Sequence, residues 1–171
     1  MPQKFHKWLN IFGKVKLEKM PTRKPWDHAI NLKEDLVPKK ERTYLISRQE
    51  KKEVREFVEE QLRKEYIRPS KLPQTLPVFF VEKKDEMKRM VQDYWYLNKG
   101  TVKDNYPLSL ILDLIDTMGT KRVFTKMDLQ WGYNNVQVKE EDEWKAVFIM
   151  HLGVYEPTVM FFGLTNSPAT F

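Results

Sequence analysis

Val123-Phe124-Thr125-Lys126-Met127-Asp128 leads a β-branched and apolar run into a single carboxylate, and Leu129-Gln130-Trp131-Gly132-Tyr133 turns at once into aromatics. A carboxylate at the end of a strand can ligate a divalent cation, since hard cations such as magnesium take oxygen ligands in fixed geometry. It can equally be an ordinary cap or turn residue, and the segment taken alone favours that second reading. The chain's adjacent acids are Glu34-Asp35, Glu59-Glu60, Asp85-Glu86 and the run Glu140 to Glu143. With no cysteine, a thiolate metal site and a disulfide framework are both excluded.

The elements that must position these residues can be read from periodicity. Residues 1–43 look weakly structured: a short helix over 4–12, then Pro21, Pro25 and Pro38 as breakers, with a short strand over 27–32. Ser47 with Glu50 three residues on forms a capping box. Val54, Phe57, Val58, Leu62 and Tyr66 then mark one helical face, closed by Arg68-Pro69. A hairpin follows, with strands 77–83 and 88–94 around the turn 84–87. Leu110, Ile111, Leu114, Ile115 and Met118 give a helix ending near Gly119. Strands are expected at 122–128, near 135–139, at 144–149 and at 156–160. Ser167-Pro168 reads as the cap and first-turn proline of a helix.

The 171 residues suit one domain plus an extension. A hydrophobic fraction of 41% suffices for a core, while 32% charged is high. Residues 1–100 hold 24 Lys/Arg against 15 Asp/Glu, and residues 101–171 hold 6 against 9. A basic front half suits a phosphate-rich partner, because neutralised phosphates release counterions; a solvated lysine-rich surface is the plainer reading. No apolar stretch approaches the roughly 20 residues of a membrane span, and Met1 to Gly13 lack the layout of a secretory signal. The default location is therefore cytoplasm or nucleus, and oligomeric state is open.

Four ordered blocks add specificity. They are Pro69 to Val81; Lys83-Lys84-Asp85 with Arg89 to Tyr94, Leu97-Asn98 and Asn105 to Leu108; Phe124 to Leu129 with Gly132-Tyr133; and Phe162 to Phe171. Together they resemble the reverse transcriptase of gypsy-type long-terminal-repeat retrotransposons, and Met20 to His28 looks like the connector that precedes this domain in such polyproteins. The resemblance implies an α+β right-hand polymerase fold, with only the fingers and first part of the palm present. It places a connector at 1–43, fingers at 44–103, the first part of the palm at 104–135, a second part of the fingers at 136–164, and truncated palm at 165–171.

It also implies site residues. Asp128 becomes the first magnesium-binding carboxylate and catalytic acid, with the Leu129 carbonyl as a minor ligand. Two such metal ions would activate a primer hydroxyl and neutralise pyrophosphate. Lys83 and Arg89 would contact the incoming triphosphate, a fit for an ammonium point charge and a bidentate guanidinium. Tyr133 would be the steric gate against a 2′-hydroxyl, Trp131 and Gly132 would offer backbone N–H groups, and Phe162-Gly163 would floor the pocket. Gln74, Thr75, Asn166, Ser167 and Pro168 would lie along the template. The implied partners are RNA or DNA template–primer and deoxynucleoside triphosphates.

The chain also departs from the pattern. No Tyr/Phe-x-Asp-Asp turn follows Asp128, and the helix opened by Ser167-Pro168 has no body before Phe171. The expectation is a chain truncated before that motif and inactive by itself. Trp95 stands where arginine is usual and Glu86 where a hairpin glycine is usual; Gly100, Ser109 and Met150 are atypical, and all five read as drift. The alternatives are a non-catalytic nucleic-acid-binding module and a non-functional relic.

Overall fold

The computed structural model describes residues 3–8, 20–72, 74–82, 88–106, 110–126, 129 and 131–171. The capping box forms as the spacing predicts. The Glu50 amide donates to the Ser47 hydroxyl at 3.2 Å, and the Ser47 amide donates to the Glu50 carboxylate at 2.7 Å. Helix α1, Arg48–Arg63, buries Val54 and Val58 and sets Phe57 against the core. It stops short of Tyr66, which the periodicity had placed on its face. Glu65 turns left-handed at φ 60, and the Glu65 and Tyr66 amides donate back to the Leu62 and Gln61 carbonyls. This is a Schellman closure, and it redirects the chain so that Tyr66 is buried beside the sheet instead. A left-handed residue with a Cβ is strained by roughly 1–2 kcal/mol. Glu65→Gly should therefore raise the unfolding free energy by about 1 kcal/mol, read as a higher urea midpoint at unchanged slope.

Five strands form one mixed sheet: β1 (Ile67–Pro69), β2 (Leu76–Glu82), β3 (Lys88–Gln92), β4 (Phe148–Met150) and β5 (Gly153–Pro157), in the order β1-β5-β4-β2-β3. The expected hairpin is present, with Phe80 opposite Met90 and Val81 opposite Arg89; residues 83–87, which include the expected turn 84–87, lie outside the described residues. Strand β4 runs parallel to β2, with Leu76 opposite Phe148, and antiparallel to β5. The middle and last thirds of the chain thus share one sheet, and its core includes Tyr66, Leu76, Val78, Tyr94, Leu97, Phe148 and Phe161. Helices α2 (Trp95–Gly100), α3 (Ile111–Gly119) and α4 (Ser167–Thr170) complete the α+β arrangement.

Several expected elements take other forms. Residues 3–8 are a 3₁₀ helix, and most of the rest of the expected 4–12 helix lies outside the described residues. Residues 27–32 and 135–139 are not strands. They make isolated bridges, His28 to Val138, Leu32 to Thr101 and Gln137 to Val159, because each meets a partner for only one residue. Residues 122–126 are irregular and exposed, with Val123 86% accessible; a strand needs a neighbouring ladder, and none of the described residues supplies one. Residues 144–146 belong to a 3₁₀ helix, so β4 starts only at Phe148, and the last strand lies at 153–157 instead of 156–160. Strand β3 ends at Gln92, and the last two residues of the expected strand, Asp93 and Tyr94, lead into α2 instead. Helix α3 forms as expected, but it buries none of its residues.

Residues 20–43, which looked weakly structured in the sequence, are woven in. The His28 amide donates to the Gln137 carbonyl at 2.8 Å, and the Lys139 amide donates to the His28 carbonyl at 2.8 Å. The Ile30 amide donates to the Asp142 carboxylate at 2.7 Å, Arg23 pairs with Glu143 at 2.7 Å, and the Val102 amide donates to the Asn31 carbonyl. Gly100, which reads as drift in the sequence, has a local reason. A Cβ there would lie 2.4 Å from a methyl of Leu36, so that leucine fills the space that the glycine leaves.

Candidate functional site

A cleft of about 610 Å³ opens between α1 (Phe57, Gln61), β3 (Arg89 to Gln92), the turn at Trp131 with Asn134, and Phe161 to Gly163. Four residues expected around a nucleotide, Arg89, Trp131, Phe162 and Gly163, meet here from three distant segments. A fifth, Tyr133, stands directly behind. The Arg89 guanidinium carbon lies 4.6 Å from the Phe162 ring centroid. Phe162 tilts against Tyr133 at 4.8 Å, and Tyr133 meets Phe171 edge-on at 5.3 Å. The result is a continuous file of cation and rings. Arg89 lines the cleft, and among the described residues no carboxylate pairs with it.

Backbone shape is set as firmly as side chains. Gly163 sits at φ +104, a region that L side chains rarely adopt, and a Cβ there would touch the Tyr94 ring at 3.4 Å. Asn98 clamps this loop: its Nδ2 donates to the Gly163 carbonyl at 2.6 Å, and its Oδ1 accepts from the Thr165 amide at 2.9 Å. A Cβ on Gly132 would lie 2.9 Å from the Phe171 ring, so this glycine is what lets the ring close on the turn. Trp131 is left-handed at φ 53 and initiates the 3₁₀ turn Gly132–Asn135. Sequence reasoning missed Gln61, Asn134 and the clamp role of Asn98. Gln61 continues the buried α1 stripe at helical spacing from Val54 and Val58, a signal that its polar type concealed.

The remaining expected site residues are placed differently. Gln74 and Thr75 are only 2% and 1% exposed. Gln74 donates to the Lys145 carbonyl at 2.6 Å and Thr75 to the Glu41 carbonyl at 2.9 Å, so both side chains are turned into the protein. Asn166 ties two segments together, donating to the Val102 carbonyl at 2.8 Å and accepting from the Asp104 amide at 3.1 Å. Ser167 is buried and Pro168 exposed. Leu129 is 70% exposed. Asp128 and Lys83 lie outside the described residues. Among the described residues no group of three or more His, Asp or Glu side chains could hold a metal ion; Asp128, the magnesium ligand that the resemblance implies, lies outside them.

A hairpin and a late β-strand pair share one sheet, and the cleft lies where α1, the hairpin strand β3 and the Phe161–Gly163 loop meet. The sequence pattern of the family described as "Reverse transcriptase (RNA-dependent DNA polymerase)" matches residues 81–171. The chain belongs to the reverse transcriptase family. It is 31% identical over 172 residues to the Tf2-3 and Tf2-7 transposon polyproteins of Schizosaccharomyces pombe (strain 972 / ATCC 24843). The alignment covers all of this chain and 13% of those polyproteins, so the chain spans about an eighth of the length of the curated relatives it matches. Its fold is similar to the prototype foamy virus protease–reverse transcriptase (CSH mutant), with TM-score 0.70 and 23% identity over all of this chain and 24% of that one. Similar values hold for the foamy viral enzyme in complex with dsDNA, TM-score 0.71 and 21% identity over all of this chain and 37% of that one. The enzyme in complex with RNA/DNA hybrid gives TM-score 0.69 and 20% identity, covering 99% and 24%. Among the described residues no helix is long and apolar enough to cross a membrane.

Proposed function

We propose that this chain supplies the nucleotide-binding fingers and the start of the palm of a retrotransposon reverse transcriptase, and that its cleft receives the incoming deoxynucleoside triphosphate. Residues 44–103 and 136–164 would be the fingers, a division supported by their sharing one sheet. Residues 104–135 and 165–171 would belong to the palm. The observation that carries the reading is the cleft itself: an arginine that pairs with no carboxylate among the described residues, two aromatic faces and a glycine-shaped floor, drawn together from positions 89, 131 and 162–163.

Each group has a distinct task in this reading. Arg89 grips phosphate oxygens in two places. Lys83 adds a point charge. Backbone N–H groups near Trp131 and Gly132 face the phosphates. Tyr133, braced by Phe162 and Phe171, stacks beneath the sugar and excludes a 2′-hydroxyl. Asp128 and the Leu129 carbonyl are this chain's contribution to a magnesium site, which needs further carboxylates beyond the described residues. The foamy viral enzyme's complexes with RNA/DNA hybrid and dsDNA support a template–primer as the second partner. Asn166 to Pro168 would lie toward it, and Gln74 and Thr75 would act by shaping the backbone there.

The test is binding of dATP and of a template–primer duplex. Arg89→Ala should weaken dATP binding about three- to tenfold, within the range of a solvent-accessible charged hydrogen-bond pair. Duplex affinity should fall linearly on logarithmic axes as salt rises. Duplex binding indifferent to salt, or dATP binding unchanged in the variant, would sink the assignment. Primer extension by these 171 residues alone is expected to be absent.

A further inference from the structure

We propose that Lys64 is a positioning residue for the nucleotide cleft, acting through Trp131. This inference rests on the cleft assignment above. Lys64 caps α1, yet its side chain is only 9% exposed. A lysine ammonium withdrawn from water is costly unless it is paired. Here it is held by Glu60 at 2.5 Å and lies 5.6 Å from the centroid of the Trp131 ring.

Trp131 needs such a hold. It is one of three non-glycine residues with positive φ among the described residues, a conformation that persists only when its surroundings over-determine it. Its carbonyl accepts from Asn135 Nδ2 at 3.3 Å, which fixes the backbone side of the turn. The ring side is fixed by the cation of Lys64, through the attraction between an ammonium and an indole face. Lys64 does not line the cleft, whereas Trp131 does. It therefore shapes the wall without touching the nucleotide. Because the same turn launches Gly132–Asn135, it also sets where Tyr133 stands behind Phe162.

Lys64→Met removes the charge at similar length, and Glu60, whose side chain is 46% exposed, stays solvated when its partner is lost. The protein is labelled with 5-fluorotryptophan, and the Trp131 resonance is assigned by Trp131→Phe. In Lys64→Met this resonance should shift and broaden, while Lys64→Arg, which keeps a cation, should hold it close to its original position. Affinity for dATP should fall about three- to tenfold in Lys64→Met, matching the strength of a partly desolvated cation–aromatic contact, and recover in Lys64→Arg. A Trp131 resonance unmoved by loss of the cation would overturn the proposal. Should Lys64→Met fail to fold, Glu60→Gln, which loosens the same ammonium, must move the resonance or the proposal falls. Failure of the original protein to bind dATP would refute the nucleotide assignment alone, because the resonance still decides whether Lys64 positions Trp131.

Discussion

Phe148→Ala should destabilise the fold by about 3–5 kcal/mol, the usual cost of emptying a fully buried aromatic site. Phe148 is 0% exposed. It sits where β4 meets both neighbours, opposite Leu76 on β2 and Tyr155 on β5. Its ring lies 6.2 Å from Phe161 and 6.4 Å from Tyr155. Phe161 in turn lines the cleft and contacts Phe57 of α1, so the void would open directly behind the candidate site. Against a typical total stability of roughly 5–15 kcal/mol, the loss should appear as a large drop in urea midpoint, with weaker dATP binding in the fraction that stays folded. A midpoint within the error of the original protein would mean that the sheet does not depend on this junction.

The second large effect is loss of stability in acid, through His28. Its ring is 1% exposed, and Nδ1 shares a 2.8 Å hydrogen bond with Thr170 Oγ1. Burial lowers its pKa from 6.5 to about 4, an effect that the nearby Asp142 carboxylate partly offsets. Between those values the unfolded chain binds a proton that the folded chain refuses. The stabilising contribution is therefore complete above about pH 6.5, declines as the pH falls, and is lost once the pH passes below about 4. A shift of this size corresponds to about 3 kcal/mol. Urea midpoints taken from pH 7.5 down to 4 should fall accordingly, and His28→Gln should flatten that part of the curve. A variant with an unchanged acid slope would assign the dependence to other groups. The effect reaches the cleft because Thr170 belongs to α4, and Phe171 beside it braces Tyr133 and closes over Gly132.

The contrast between readable and unreadable parts has a physical basis. Helix α1 was legible because its start is encoded in local chemistry, Ser47 and Glu50 bonding each other's amides. The hairpin was legible because alternation and a polar turn set its register. Helix α3 was legible from its apolar spacing, although it buries none of its residues, since burial depends on a neighbour and not on the helix. The strand expected at 122–128 failed over its described residues for the same reason: a strand is completed by its partner. The docking of residues 20–43 was not legible because it runs largely through backbone amides and carbonyls, as at His28 with Gln137 and Lys139, and backbone groups carry no sequence signature.

The residues of the candidate site divide along the same line. The amino-acid sequence alone determined the family, through four ordered blocks, and it nominated Arg89, Trp131, Gly132, Tyr133, Phe162 and Gly163, since residue type fixes which chemistry a position can offer. Only the tertiary structure decided that Arg89, Phe162, Tyr133 and Phe171 form one file, that Gln74 and Thr75 point inward, and that Lys64 lies against Trp131. These are contacts between segments far apart in the chain. Long-range geometry follows from how the sheet closes, and no local pattern records it.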